Sequence, residues 1–170
     1  MSDVGCFEDL PDEILLDLFE NYIRLYDIYH GFHFLNHNRI NRVLRSAQFN
    51  IDIPSKDIFH LQAFTHFSHQ ITSLHLSTFC DDLDLLKLPN LRFLHIEKPT
   101  RPQVLSIRAE YLPKLIYLSL ISCWFPLDEL PRYVVNLSHI CPFKYLRLCI
   151  LPNGKSVKLS SKQNVLITYT

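Results

Sequence analysis

The chain has 170 residues, 48% of them hydrophobic, enough for a buried core in one domain or in a small module joined to an elongated one. Its 17 basic and 17 acidic side chains cancel, so the broad positive field that suits nucleic acid or an anionic membrane is absent and the expected partners are proteins. The 3 glycines cannot build a phosphate-cradling loop, and the 5 cysteines contain no Cys-x-x-Cys and follow no secretory signal, which argues against a disulfide framework or a thiolate zinc site. The longest run free of charged residues and of His, 115–127, is too short to span a bilayer. A reduced protein of the cytoplasm or nucleus, without cofactor, is expected.

The first element is a helix beginning at Leu10-Pro11-Asp12-Glu13. Pro11 suits the first helical position, where its missing N–H has no partner to lose, and Asp12 and Glu13 set negative charge against the positive end of the helix dipole. Leu10, Ile14, Leu18 and Tyr22 form one apolar stripe, and Leu15, Phe19 and Ile23 form a second beside it. One small module cannot easily bury both. Asp27 is expected to cap a short second helix, 28–32. A third, about 36–48, carries Ile40, Val43, Leu44 and Ala47 on one face, with Arg39, Arg42 and Arg45 turned to solvent. His30, His33 and His37 have a spacing that can gather imidazoles, but Phe34 and Leu35 interrupt it and no Glu lies between a His pair, so no metal site is expected there.

The order Leu-Pro-x-Glu-Ile-Leu followed by Leu-Phe-x-x-Tyr-Ile resembles the opening of the F-box, a three-helix motif of ubiquitin-ligase subunits, over residues 7–48. The resemblance implies docking onto the adaptor of an SCF-type ligase, and through it a cullin, by Leu10, Pro11, Ile14, Leu15 and Phe19. Family members often carry Cys-x-x-Trp in the third helix, where this chain has Asn38 to Asn41.

Residues 49–54 read as an extended linker, followed by a joining helix, 56–67, capped by Ser55, with Ile58, Leu61, Phe64 and His69 roughly on one side. Phe59, Phe64 and Phe67 are expected to cover the first open face of a stacked array. A repeat then begins. Ile71-x-x-Leu74-x-Leu76 is echoed by Leu91-x-x-Leu94-x-Ile96, Leu115-x-x-Leu118-x-Leu120 and Phe143-x-x-Leu146-x-Leu148. Two copies share a longer signature, 88–94 against 112–118.

This pattern resembles the leucine-rich repeat, which implies one short strand and one return segment per turn of a solenoid. Cys123 stands where that family has Asn or Cys, while Phe79, Pro99 and Leu151 stand there in the other copies. The stretches 81–87, 104–111 and 127–139 have helical composition and suit the return segments. In such an array the residues between the Leu positions point outward. Phe93, Tyr117 and Tyr145 then align across copies, and His75, His95 and Arg147 make a neighbouring row interrupted by Ser119; Glu97 also faces outward. These aromatic, His and Arg positions either bind a target protein or pair across strands for stability. The tail offers strands at 156–160 and 164–169 as a cap, or as the approach to further repeats.

No Ser elbow, Cys–His pair or paired carboxylates mark a catalytic centre. The chain is therefore expected to be a non-catalytic α/β protein: an F-box at 7–48, a linker and joining helix at 49–70, a short irregular leucine-rich-repeat solenoid of about four rungs at 71–151, and a cap or tail at 152–170. The function so implied is substrate recognition for an SCF ligase, with an unknown target protein held by the repeats. The alternative is a repeat scaffold whose degenerate F-box joins no ligase.

Overall fold

The computed structural model describes residues 6–32, 35, 37–53, 61–77, 83–108, 110–123, 145–150 and 164–169, with 122–123 and the last two segments described by their backbone. Expectations placed on His33, on Ser55, Ile58 and Phe59, on Phe79, Phe143 and Leu151, and on 81–82, 127–139 and 156–160 lie outside these residues.

The protein is a mixed helix–strand fold with a parallel sheet. A 3-10 turn, Phe7–Asp9, leads into α1 (Asp12–Asp17), which runs on as a π-helical turn, Leu18–Tyr22; α2 (Leu25–Phe32) and α3 (Asn38–Ser46) come next. Strands β1 (Phe49–Ile53), β2 (Ile71–Leu76), β3 (Phe93–Glu97), β4 (Tyr117–Cys123), β5 (Tyr145–Ile150) and β6 (Asn164–Tyr169) form one sheet in sequence order, each parallel to the next. Parallel neighbours cannot be joined by a tight hairpin and need a return segment. The described returns hold α4 (Leu61–His66), a 3-10 turn at Leu85–Lys87, and α5 (Arg101–Ser106).

Local chemistry moves several boundaries from their expected places. Pro11 is the N-cap and not the first helical residue: its carbonyl accepts from Ile14 and Leu15 N–H at 3.1 and 3.0 Å. The second helix starts at Leu25, because Arg24 supplies the carbonyl for Ile28 N–H and its Nε bonds Asp27 Oδ2 at 2.8 Å. Asp27 thus sits inside the first turn. The third helix starts at Asn38, where His37 Nδ1 accepts from Ile40 N–H. The return helix expected at 104–111 begins at Arg101, since Thr100 and Gln103 make a reciprocal capping box. In the described part of the 81–87 segment, Asp84 accepts from Leu86 N–H and caps the 3-10 turn Leu85–Lys87.

In place of the linker expected over 49–54, Phe49–Ile53 is a strand. Phe49 and Ile53 are buried while Asn50 and Asp52 are exposed, the alternation of a strand with one covered face. Arg39 is also placed differently from expectation. Arg39 Nε and Arg42 Nη2 both bond the Asp12 carboxylate, at 2.7 and 2.9 Å, and Arg39 also donates to the carbonyls of Glu8 and Leu10. Arg42, 73% exposed at its side chain, and Arg45 stay solvated, whereas Arg39 is half-buried.

One apolar cluster runs from the helices into the sheet. Leu15, Phe19, Ile28, Ile40, Val43, Leu44 and Ala47 join Phe49, Ile53, Phe64 and Phe67, and these join the strand residues from Ile71 to Leu120. Phe19 meets Phe32 edge-on at 5.2 Å and Phe7 at 6.2 Å; Phe67 meets Phe49 at 5.2 Å and Tyr29 at 6.5 Å. Where α3 ends, Gln70 Nε2 donates to the carbonyls of Leu44 and Ala47 at 2.6 and 3.0 Å, adding to the bond that Leu44 O accepts from Ala47 N–H and so helping to satisfy the helix-end acceptors.

The Leu positions of the sequence repeat stack in register. Ile51, Leu74, Leu94, Leu118 and Leu146 are successive partners across the sheet, as are Ile53, Leu76, Ile96, Leu120 and Leu148. The twin segments 88–94 and 112–118 make the same turn, with Leu91 N–H bonding Leu88 O and Leu115 N–H bonding Leu112 O, each at 3.2 Å. Asn90 Nδ2 reaches back to His69 O, and Lys114 Nζ to Asn90 Oδ1 at 2.6 Å, so equivalent positions tie successive copies together.

Candidate interaction surfaces

The two apolar stripes of the first helix meet different surroundings. Leu15 and Phe19 are wholly buried. Ile23 is half-buried and packs on the same core. The other stripe faces out: Ile14 is 47% exposed and Tyr22 73%, with Leu18 and Leu10 half-buried and Pro11 exposed. Of the residues expected to dock an adaptor, Leu15 and Phe19 are therefore core residues in this fold, because the three helices need an internal stripe and Phe19 completes the ring cluster with Phe7 and Phe32. Leu10, Pro11 and Ile14 remain accessible. The π-helical turn, closed by Ile23 N–H on Leu18 O at 3.0 Å, carries Tyr22 at the outer end of that stripe.

A charged clamp fixes this helix. Asp12, in the first turn of α1, bonds both Arg39 and Arg42 of α3, and hydrogen bonds from those two guanidinium groups hold its carboxyl below the ordinary carboxylate value of 3.8. The start of α1 is thereby tied to α3 by charge-assisted bonds.

The outer face of the sheet carries the expected rows. Phe93, Tyr117 and Tyr145 are successive register partners, and so are His75, His95, Ser119 and Arg147. Phe93 is 44% exposed, and its ring lies 6.3 Å from that of Tyr117. Ser119 is fully buried and breaks the second row. For Tyr145 and Arg147 the strand position alone is described.

Around His75 the row gathers polar groups. Because β1 is a strand, Asp52 joins the row as the partner of His75, and its Oδ1 lies 3.2 Å from His75 Nδ1. His75 and His95 stand edge-to-face with ring centroids 4.3 Å apart. Glu97 Oε1 faces both, at 3.6 Å from His75 Nε2 and 3.9 Å from His95 Nε2, and Ser77 Oγ lies 3.2 Å from His75 Nε2. The repeat register predicts the His pair and the side of Glu97. It does not predict Asp52, for which the alternation of Phe49, Ile51 and Ile53 with polar residues is the available strand signal.

Comparison with protein-family models, with curated proteins and with solved structures returns no match to this chain. Among the described residues no helix is long and apolar enough to cross a membrane.

Proposed function

We propose that this chain is a substrate-recognition subunit of an SCF-type cullin–RING ubiquitin ligase, docking the adaptor through the 7–48 helices and a target protein through the outer face of the sheet. The observation that carries this reading is the outward part of the first stripe, Ile14 and Tyr22 with the half-buried Leu18 between them, apolar area left over once Leu15 and Phe19 have filled the core. Contiguous exposed apolar side chains flanked by charge mark interaction sites.

The same reading takes the sheet as the strand side of a short leucine-rich-repeat array. In its support stand the stacked Leu columns and the shared turns of 88–91 and 112–115. Phe93, Tyr117 and Tyr145, beside His75, His95 and Arg147, are of the types that supply binding anchors with little side-chain entropy to lose. The chain itself performs no chemistry in this account. It raises the rate of ubiquitin transfer by holding a target lysine beside a charged conjugating enzyme.

A second reading, a repeat scaffold with a degenerate F-box, is favoured by the burial of Leu15 and Phe19, which narrows the docking area, and by Asn38–Asn41 in place of Cys-x-x-Trp. One experiment separates the two. Under the ligase reading the full chain co-purifies with the adaptor at micromolar concentration, and Ile14→Asp, at a side chain already half in water, abolishes the association without changing the thermal midpoint. Absence of association by the unaltered chain leaves the scaffold.

A further inference from the structure

We propose that Asp52, His75, His95 and Glu97 form a binding site for a single zinc-class divalent cation on the outer face of the sheet, ligated by the two imidazoles and Glu97 and oriented by Asp52. The site is complete within this chain and stands whether or not the ligase reading does.

Strand register brings these groups together. In a parallel sheet, neighbouring strands run about 4.8 Å apart and alternate residues share a face. Asp52, His75 and His95 are successive partners on β1, β2 and β3, and Glu97 comes two residues after His95 on the same face. Short side chains in such a row can bring their ends together without bending the backbone. They do so here: the donor atoms of His75, His95 and Glu97 all lie within 4.8 Å of one another.

Hydrogen-bond polarity then aims the donors. A carboxylate accepts only, so Asp52 Oδ1 at 3.2 Å favours the proton on His75 Nδ1 and leaves the lone pair on Nε2. That nitrogen lies 3.6 Å from Glu97 Oε1, another electron-pair donor, and His95 Nε2 approaches the same oxygen at 3.9 Å. Both separations exceed hydrogen-bond length. Like-natured donors converging at this spacing are stabilised by positive charge between them. Ser77 Oγ, 3.2 Å from His75 Nε2, can donate into the lone pair when no cation is bound.

The spacing and the ligand types match a particular class of ion. A tetrahedral centre with bonds of about 2.0–2.1 Å sets its donors about 3.4 Å apart. The observed 3.6 and 3.9 Å, with all three donors within 4.8 Å of one another, reach that by side-chain rotation without movement of the strands. Two imidazoles with one carboxylate suit zinc, whereas calcium and magnesium require oxygen ligands throughout. A carboxylate on the non-ligating nitrogen of a metal-binding His, the place Asp52 takes, fixes the ring and raises its basicity. Three protein ligands leave a fourth position for water or for a donor from a bound protein. Because His75, His95 and Glu97 are each partly exposed, that position can be reached from solvent.

The test uses the full chain, stripped of metal by a chelator and titrated with zinc chloride at neutral pH by calorimetry, then with cobalt(II) by visible absorption. Expected are one ion per chain at micromolar affinity or tighter and the absorption of four-coordinate cobalt without a thiolate charge-transfer band. His75→Asn, His95→Asn and Glu97→Gln each weaken binding by about tenfold or more, and Asp52→Asn weakens it by about tenfold while leaving the ligand set intact. Circular dichroism in chelator establishes that each variant is folded; should one fail, the other ligand variants carry the test. No binding at micromolar zinc, affinity unchanged in His95→Asn and Glu97→Gln, or a thiolate band showing that cysteines hold the ion would each overturn the proposal.

Discussion

Arg39 of α3 donates through Nε to Asp12 Oδ1 at 2.7 Å, joining α3 to the first turn of α1 across 27 positions of the chain. The sign of the resulting pH dependence comes from the lowered carboxyl. Over the window between its folded and unfolded pKa values, Asp12 binds fewer protons folded than unfolded, so stability rises with pH there. The contribution is fully present above the ordinary value of 3.8 and is lost as the solution is acidified through the lower, folded one. Asp12→Asn is expected to be less stable than the parent at neutral pH, with the difference shrinking below that value. Chemical denaturation at a series of pH values checks this, and a difference that persists undiminished in acid contradicts it.

Gln70 is a second long-range clamp. Its amide caps the carbonyls of Leu44 and Ala47 from a turn that leads into β2, and it is half-buried there. Gln70→Ala leaves those helix-end acceptors without the amide and is expected to cost about 1–2 kcal/mol, read as a lower urea midpoint with unchanged slope. Gln70→Glu removes the donor but keeps the size, and should cost at least as much.

Lys98 is the one non-glycine residue with positive φ among those described, at 52° just beyond β3, and its N–H bonds Ile121 O at 2.7 Å. The left-handed conformation costs an L-residue roughly 1–2 kcal/mol, while glycine adopts it freely but loses more entropy on folding. Lys98→Gly is therefore expected to be neutral or to stabilise by up to about 1 kcal/mol. Lys98→Val, with branching at Cβ, is expected to be the less stable of the two, and thermal melts of the variants side by side decide it.

The parts of this fold legible in sequence are those where side-chain period and element type agree. The Leu-x-x-Leu-x-Leu spacing predicts which residues of β2, β3 and β4 enter the core, and 164–169 reads as a strand and is one. Two stripes on the first helix are too many to bury, and one of them stays outside. Illegible was anything set by a distant partner. Arg39 looks like a solvated position until the fold brings Asp12 beside it. Phe49–Ile53 is too short and too isolated in sequence for its alternation to outweigh a linker reading, yet pairing with β2 makes it a strand. Helix starts at Leu25, Asn38 and Arg101 depend on Arg24, His37 and Thr100; Thr100-x-x-Gln103 is a capping signature already present in the sequence, whereas Arg24 and His37 are not of the residue types that usually cap a helix. Which stripe of the first helix turns inward was decided by Phe7 and Phe32, and no local pattern around Leu15 or Phe19 contains that information.

The register of the sheet itself can be tested at two adjacent residues. Phe93 and Leu94 are neighbours in β3, yet Leu94 is fully buried between Leu74 and Leu118, while Phe93 is 44% exposed beside Tyr117. Because side chains alternate between faces, a slip of one residue would exchange their environments. Leu94→Ala opens a cavity in the stacked column and is expected to cost about 2–5 kcal/mol. Phe93→Ala loses one ring contact on the open face and is expected to cost about 0.5–1.5 kcal/mol. Urea unfolding of the two single variants measures the difference directly, and equal costs, or the larger cost at Phe93, would mean that the other face is the one packed. The same pair separates stability from recognition: under the ligase reading, Phe93→Ala weakens target binding in a chain that remains folded, and Leu94→Ala affects binding only in proportion to the unfolded fraction.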